Sequence, residues 1–203
     1  MWGRLLLLGL VLLGAFQWWS DRPVRYGPGV VAANQPRQNP LPEQAEFKRE
    51  NYQITALAEF ELEARVLGRE DYRFDAGAAL APVDLALGWG RMSDEAVLEH
   101  VSVSQGGRFY FWSVERFPIP RREVETHSAN MHLIPANESV AYRLRKIREG
   151  EVVALRGYLV SVRGENGFNW RSSLTRDDTG NGACELIWVE NLRVIQPYSG
   201  GGT

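Results

Sequence analysis

Apolar and polar positions alternate in "FELEARV", residues 60–66. Phe60, Leu62, Ala64 and Val66 fall on one side, and Glu61, Glu63 and Arg65 on the other. A period of two is that of a strand with one face buried. It outweighs the helix propensity of the Glu, Leu and Ala residues. Strands are expected also in "RFYFWSV" (108–114), "EVVALRGYLVSVR" (151–163), "FNWRSSL" (168–174) and "ELIWVENLRVI" (185–195). Gly157 marks a bulge or bend in the longest of these, and "GENG" at 164–167 turns the chain. "MHLIP", 131–135, reads as a short strand with Met131 and Leu133 toward the core and His132 on the other face.

Helical periodicity is scarcer. "SDEAVLEHV" opens on Ser93 as an N-cap, with Asp94 and Glu95 in its first turn. "ESVAYRLRKIREG" follows Asn137, a second cap; Val140, Leu144 and Ile147 form its apolar stripe and Gly150 closes it. Two short helices among many strands predict a mainly β domain over residues 51–198. The expected architecture is a small, antiparallel, OB-like, partly open barrel, with a β-sandwich as the alternative.

The pattern changes before residue 51. Leu5 to Phe16 is an unbroken apolar run after one cation, Arg4, and Trp18 and Trp19 follow it. A secretory signal peptide has a basic start and an apolar core, but "GAFQWWS" lacks small residues at both cleavage positions. An uncleaved anchor over residues 1–20, with the tryptophans at the membrane interface, is the favoured expectation. The bulk of the chain is then extracytoplasmic, periplasmic in a bacterium. Residues 21–50 hold Pro23, Pro28, Pro36, Pro40 and Pro42, half of the 10 prolines, and read as a Pro-rich linker. Residues 199–203 read as a flexible tail.

Composition narrows the chemistry. A net charge of -2 argues against a general polyanion binder, so nucleic acid is an unlikely partner. The single cysteine, Cys184, excludes an intrachain disulfide and a zinc site of two cysteines and two histidines. "NES" at 137–139 matches a glycosylation acceptor, meaningful only in a eukaryotic secretory pathway.

Two polar clusters carry the candidate chemistry. In "HSANMH", His127 and His132 are five apart. A helix would point them about 140° apart, and a strand onto opposite faces, so a shared metal requires a loop. Asp84 or His100 would have to supply a third ligand. The simpler reading is a structured turn at 127–130, with Ser128 and Asn130 bonding local backbone. In "SSLTRDDTGNGACE", Asp177, Thr179, Asn181 and Gly182 match the opening oxygens and glycine of a calcium loop. Trp188 stands where the closing Glu belongs, and Glu185 is a poor replacement, so Ca2+ is only a weak expectation and no cofactor is predicted. Cys184 or Ser173 beside His127 or His132 would make a nucleophile with a base. Asp84, a lone carboxylate in an apolar run, must be paired if it is buried.

Arg143, Arg145, Lys146 and Arg148 lie mostly off the apolar stripe of their helix. The plain meaning is a solvated face; attraction to anionic headgroups is the other. The leading functional expectation is a membrane-anchored binding or interaction module for a protein or small molecule. Its ligand residues are expected to be His127, Asn130, Arg176, Asp177 and Asp178, with the two clusters side by side. The alternatives are an envelope hydrolase or transferase, and a small structural subunit of a membrane complex.

Overall fold

A computed structural model of the chain describes residues 22–175 and 184–197, with positions 7, 9, 11 and 14. Ten strands run in chain order. They are β1 (Arg37–Asn39), β2 (Glu46–Arg49), β3 (Tyr52–Asp71), β4 (Val83–Gly88), β5 (Ser102–Gly106), β6 (Phe109–Ser113), β7 (Ser128–Pro135), β8 (Val152–Arg163), β9 (Asn169–Arg171) and β10 (Glu185–Ile195). Three short helices lie between them: α1 (Glu95–Leu98), α2 (Arg121–Thr126) and α3 (Glu138–Leu144).

Five strands close into a ring. β3 pairs with β4, β4 with β7, β7 with β10, β10 with β8, and β8 returns to β3. The β7–β10 pairing is parallel, so the expected all-antiparallel sheet holds one exception. The ring depends on β3 being 20 residues long. Its register shifts between Ala56 and Ala58 against β8, and between Val66 and Gly68 against β4. Such bulges bend a strand, which lets one strand serve two neighbours. The expected irregularity at Gly157 sits opposite a shift between Val189 and Asn191 of β10. A Cβ on Gly157 would overlap the Trp188 carbonyl oxygen, so the close approach there requires glycine.

The alternation in "FELEARV" becomes the inner wall. Phe60, Leu62, Ala64 and Val66 are buried with Leu85, Leu87, Met131, Leu133, Leu155 and Ile187. Val140 and Leu144 of α3, and Ile147 just beyond its end, pack into this core, the stripe expected from sequence. Asn137 caps it as expected, accepting from the Val140 N–H at 3.0 Å. The cap of α1 is Asp94 rather than Ser93, with its side chain accepting from Ala96 N at 2.9 Å. Ser93 turns inward instead, and its Oγ accepts the N–H groups of Val31 and Ala32. β4 shows no alternation because all six residues are buried, which also hid it from a period-two search.

Residues 22–49 lie along this ring. Val24 N donates to Glu149 O at 2.8 Å and Gly29 N to Asp94 Oδ1 at 2.8 Å. β1 and β2 extend β3, and Phe47 stacks on Trp188 with centroids 4.8 Å apart. The stretch expected as a linker thus adds strands and an aromatic contact to the sheet. The anchor expected over residues 1–20 lies, except for four positions, outside the described residues. No helix among the described residues is long and apolar enough to cross a membrane.

A fragment starting at residue 51 should unfold at lower urea than one starting at residue 22. Loss of the Phe47 contact alone corresponds to about 2 kcal/mol, and equal midpoints would show that residues 22–50 contribute nothing to the fold.

Candidate functional site

The alternation of β4 and β7 divides their side chains between two faces. Val83, Leu85 and Leu87 enter the ring, as do Met131 and Leu133. Asp84, Ala86 and Gly88 face outward, opposite His132, Asn130 and Ser128 respectively. The outer wall therefore carries a polar stripe, Ser128–Asn130–His132, beside a carboxylate. This wall is covered. Asp84 is 0% exposed, Asn130 1% and His132 2%. Charged groups so deep must be paired.

The cover is the β5–β6 hairpin. Gly106 pairs with Phe109, leaving Gly107 and Arg108 as a two-residue turn. Both have positive φ, 59° and 71°, the turn that matches strand twist. Arginine seldom adopts that region, and here its side chain lies over Asp84. Arg108 Nη1 donates to Asp84 Oδ1 at 2.8 Å and to Ala81 O at 2.9 Å. Nε and Nη2 donate to the two oxygens of Asp75, at 3.0 and 2.8 Å. The guanidinium lies 3.7 Å from the Tyr72 ring centroid and 5.4 Å from that of Trp170. Its carbonyl oxygen accepts from Asn130 Nδ2 at 3.1 Å, and Asn130 Oδ1 accepts from Gln105 Nε2 at 2.8 Å.

Asp84 also faces an imidazole. His132 Nδ1 is 2.8 Å from Asp84 Oδ2, an electrostatic contact off the line of a regular hydrogen bond. A proton on Nδ1 facing the carboxylate is the electrostatically favoured tautomer, with the lone pair on Nε2. Nδ1, like Asp84 Oδ2, is fully buried and makes no regular hydrogen bond among the described residues. The imidazole packs on Trp170, with centroids 4.7 Å apart.

The surroundings tune other groups. Burial pulls the Asp75 carboxyl up, but the Arg108 bonds and the Gly77 and Ala78 N–H groups outweigh it and hold the pKa below the ordinary value. Burial raises the Tyr110 hydroxyl, which donates to Ser128 O at 3.1 Å; the charges of Glu185 and Cys184 add to the rise.

The expected site residues are distributed as follows. His127 caps the end of α2, with its ring against Gly90 and 6.4 Å from Trp89. It therefore lies apart from His132, and β7 begins at Ser128 where a loop was expected. Strand geometry is the reason: five residues of extended chain separate the two rings and place them on opposite sides. No group of three metal-ligating side chains occurs among the described residues. Cys184 is half-buried and precedes Glu185, which pairs with Met131. The end of the second cluster is thereby brought beside Asn130. Ser173 N donates to Cys184 O at 3.2 Å, and Ser172 Oγ accepts from Leu186 N at 3.1 Å. Glu185 is buried. Arg176, Asp177, Asp178, Thr179 and Asn181 lie outside the described residues, and the calcium reading with them. Arg108, Asp75 and Trp170 did not stand out in sequence; the one signal toward them was the unpaired carboxylate of Asp84.

Compared with family models, curated proteins and solved structures, the chain matches none.

Replacing Asp84 by Ala removes the counter-charge of Arg108 and the contact partner of His132 Nδ1. Breaking a buried pair costs about 3–5 kcal/mol, so chemical denaturation of the Asp84→Ala variant should show a loss of that order. A loss below about 1 kcal/mol would mean that the cluster does not organise this wall.

Proposed function

We propose that the chain is an extracytoplasmic binding module, tethered by residues 1–20, whose ligand sits at the edge of the covered β4–β7 wall, against Trp170 and Phe74. Taking the ring strands β3, β4, β7, β8 and β10 as first to fifth, they pair in the order 1-2-3-5-4-1, and α3 lies between the third and fourth. That order supports an OB-like barrel, the expected architecture. In such barrels the second and third strands, with the connections 1–2 and 4–5, bind oligonucleotides and oligosaccharides. The corresponding parts here are β4, β7 and the stretches 72–82 and 164–175.

The observation that carries the reading is that the charged cluster lies between those two stretches. Asp75 comes from the first, Trp170 from the second, and Asp84 and His132 from the strands between. Phe74, in the first stretch, is 98% exposed. Aromatic faces beside a polar stripe suit a polar chain held by stacking and hydrogen bonds. The net charge of -2 favours an uncharged oligosaccharide over nucleic acid.

One observation favours a second reading, an envelope hydrolase or transferase. His132 lies against a buried carboxylate that favours the tautomer with Nε2 as a base, and Cys184 immediately precedes the neighbouring strand. The full-length protein, screened against arrayed oligosaccharides, should bind a subset. Trp170→Ala should weaken that binding at least tenfold, while Arg193→Gln on another face leaves it unchanged. Binding that ignores Trp170 excludes this wall as the site. Ligand cleaved by the wild type and spared by Cys184→Ala would favour the second reading over the first.

A further inference from the structure

The chain leaves the barrel at a defined place. Val24 is pinned from both sides: its N–H donates to Glu149 O at 2.8 Å, and its carbonyl accepts from Arg65 Nη2 at 3.4 Å. Gly150, at φ 84°, has no room for a Cβ because the Val24 carbonyl oxygen occupies that space. Arg65 is itself fixed, paired with buried Glu95 and lying 5.7 Å from the Tyr26 ring centroid. The strap continues through Gly29 on Asp94 and Ala32 on Ser93. Three residues, 21–23, separate the apolar N-terminal segment from this pin, so the step from residue 20 to Val24 reaches about 14 Å at full extension.

The basic run of the α3 region stands at the same place. Glu149 belongs to the turn that follows α3, so Val24 is bonded to the end of "RLRKIREG". Arg145 and Lys146 are exposed and make no ion pair among the described residues. Lys146 Nζ lies 5.8 Å from the ring of Tyr142, which is 58% exposed. Arg22 and Arg25 are exposed on the strap itself; Arg25 lies 3.5 Å from Glu95, whose other oxygen is held by Arg65. Glu149 and Glu99 are the exposed acidic side chains lining the groove beside Arg25, and Arg148 is held by Glu151.

We propose that this end of the barrel, Arg22, Arg25, Tyr142, Arg145 and Lys146, rests on the headgroups of an anionic lipid bilayer. The inference rests on the tethering reading above. Two independent features meet here: a cationic, tyrosine-bearing surface and the point from which an apolar segment departs within about 14 Å. Interfacial tyrosine and basic side chains suit that depth. The contact would fix the barrel's orientation on the membrane, where a tether alone leaves it free to tumble.

The test uses the full chain. Flotation with phosphatidylcholine vesicles reads the tether alone. Hydrogen exchange of the vesicle-bound protein reads the contact. Exchange at residues 142–150 should slow when phosphatidylglycerol is included, and high salt should reverse the effect. Each basic residue near such a surface contributes about 1 kcal/mol. Arg145→Gln with Lys146→Gln should therefore lower the contact equilibrium about thirtyfold and return exchange to the phosphatidylcholine level. Flotation with no lipid-dependent protection overturns the headgroup contact and leaves the tether standing. If the chain fails to float with phosphatidylcholine, the tether falls. Flotation with phosphatidylglycerol vesicles then decides: binding lost in the double variant supports the cationic surface, and no binding overturns it.

Discussion

Asp84 is a carboxylate with no solvent contact, on the outside of a barrel wall, facing a guanidinium and an imidazole. Ionised, it would be strongly destabilising alone, and the surrounding architecture follows from that constraint. The hairpin must lie over β4 and β7 because its turn supplies Arg108. The turn must be Gly107–Arg108 with positive φ because that geometry delivers the guanidinium over Asp84. The stretch before β4 must fold back because Asp75 and the Ala81 carbonyl take the remaining donors of Arg108. One buried charge thus ties the barrel, the hairpin and the 72–82 stretch into one unit.

That arrangement leaves His132 as the group with capacity to spare. Arg108 uses its donors internally and Asn130 is bonded on both ends of its amide. His132 is held against Asp84 through Nδ1 and packed by Trp170, and neither Nδ1 nor Asp84 Oδ2 makes a regular hydrogen bond among the described residues. A preorganised imidazole beneath an indole, between two connecting stretches, is what a ligand site at the edge of this wall requires. The same ring is what a general base requires, which is why the binding and catalytic readings share a residue and differ in the role of Cys184.

Much of the barrel was legible from period alone. "FELEARV", "EVVALRGYLVSVR" and "ELIWVENLRVI" have one face in the core and another outside, and they became the walls of the ring. β4 was not legible, because both of its faces are buried and alternation vanishes. Proline density in residues 21–50 suggested a linker, yet prolines are compatible with edge strands, and β1 and β2 occupy such edges. The candidate site was half legible. Burial of Asp84 demanded partners, and His132 was expected on the face opposite Met131. Arg108 was hidden in an aromatic strand, since nothing local marks an arginine that a turn sends inward. His127 looked equivalent to His132 and is not, because strand geometry parts them.

The central claim is that buried Asp84 sets the proton of His132 on Nδ1. Nitrogen-15 NMR of the histidine rings, at a pH well above the ordinary histidine range, reads this directly. The account predicts a neutral His132 with Nδ1 protonated and Nε2 bare, and a mixed tautomer in Asp84→Asn. A proton on Nε2 in the wild type, or a tautomer indifferent to Asp84→Asn, would contradict it.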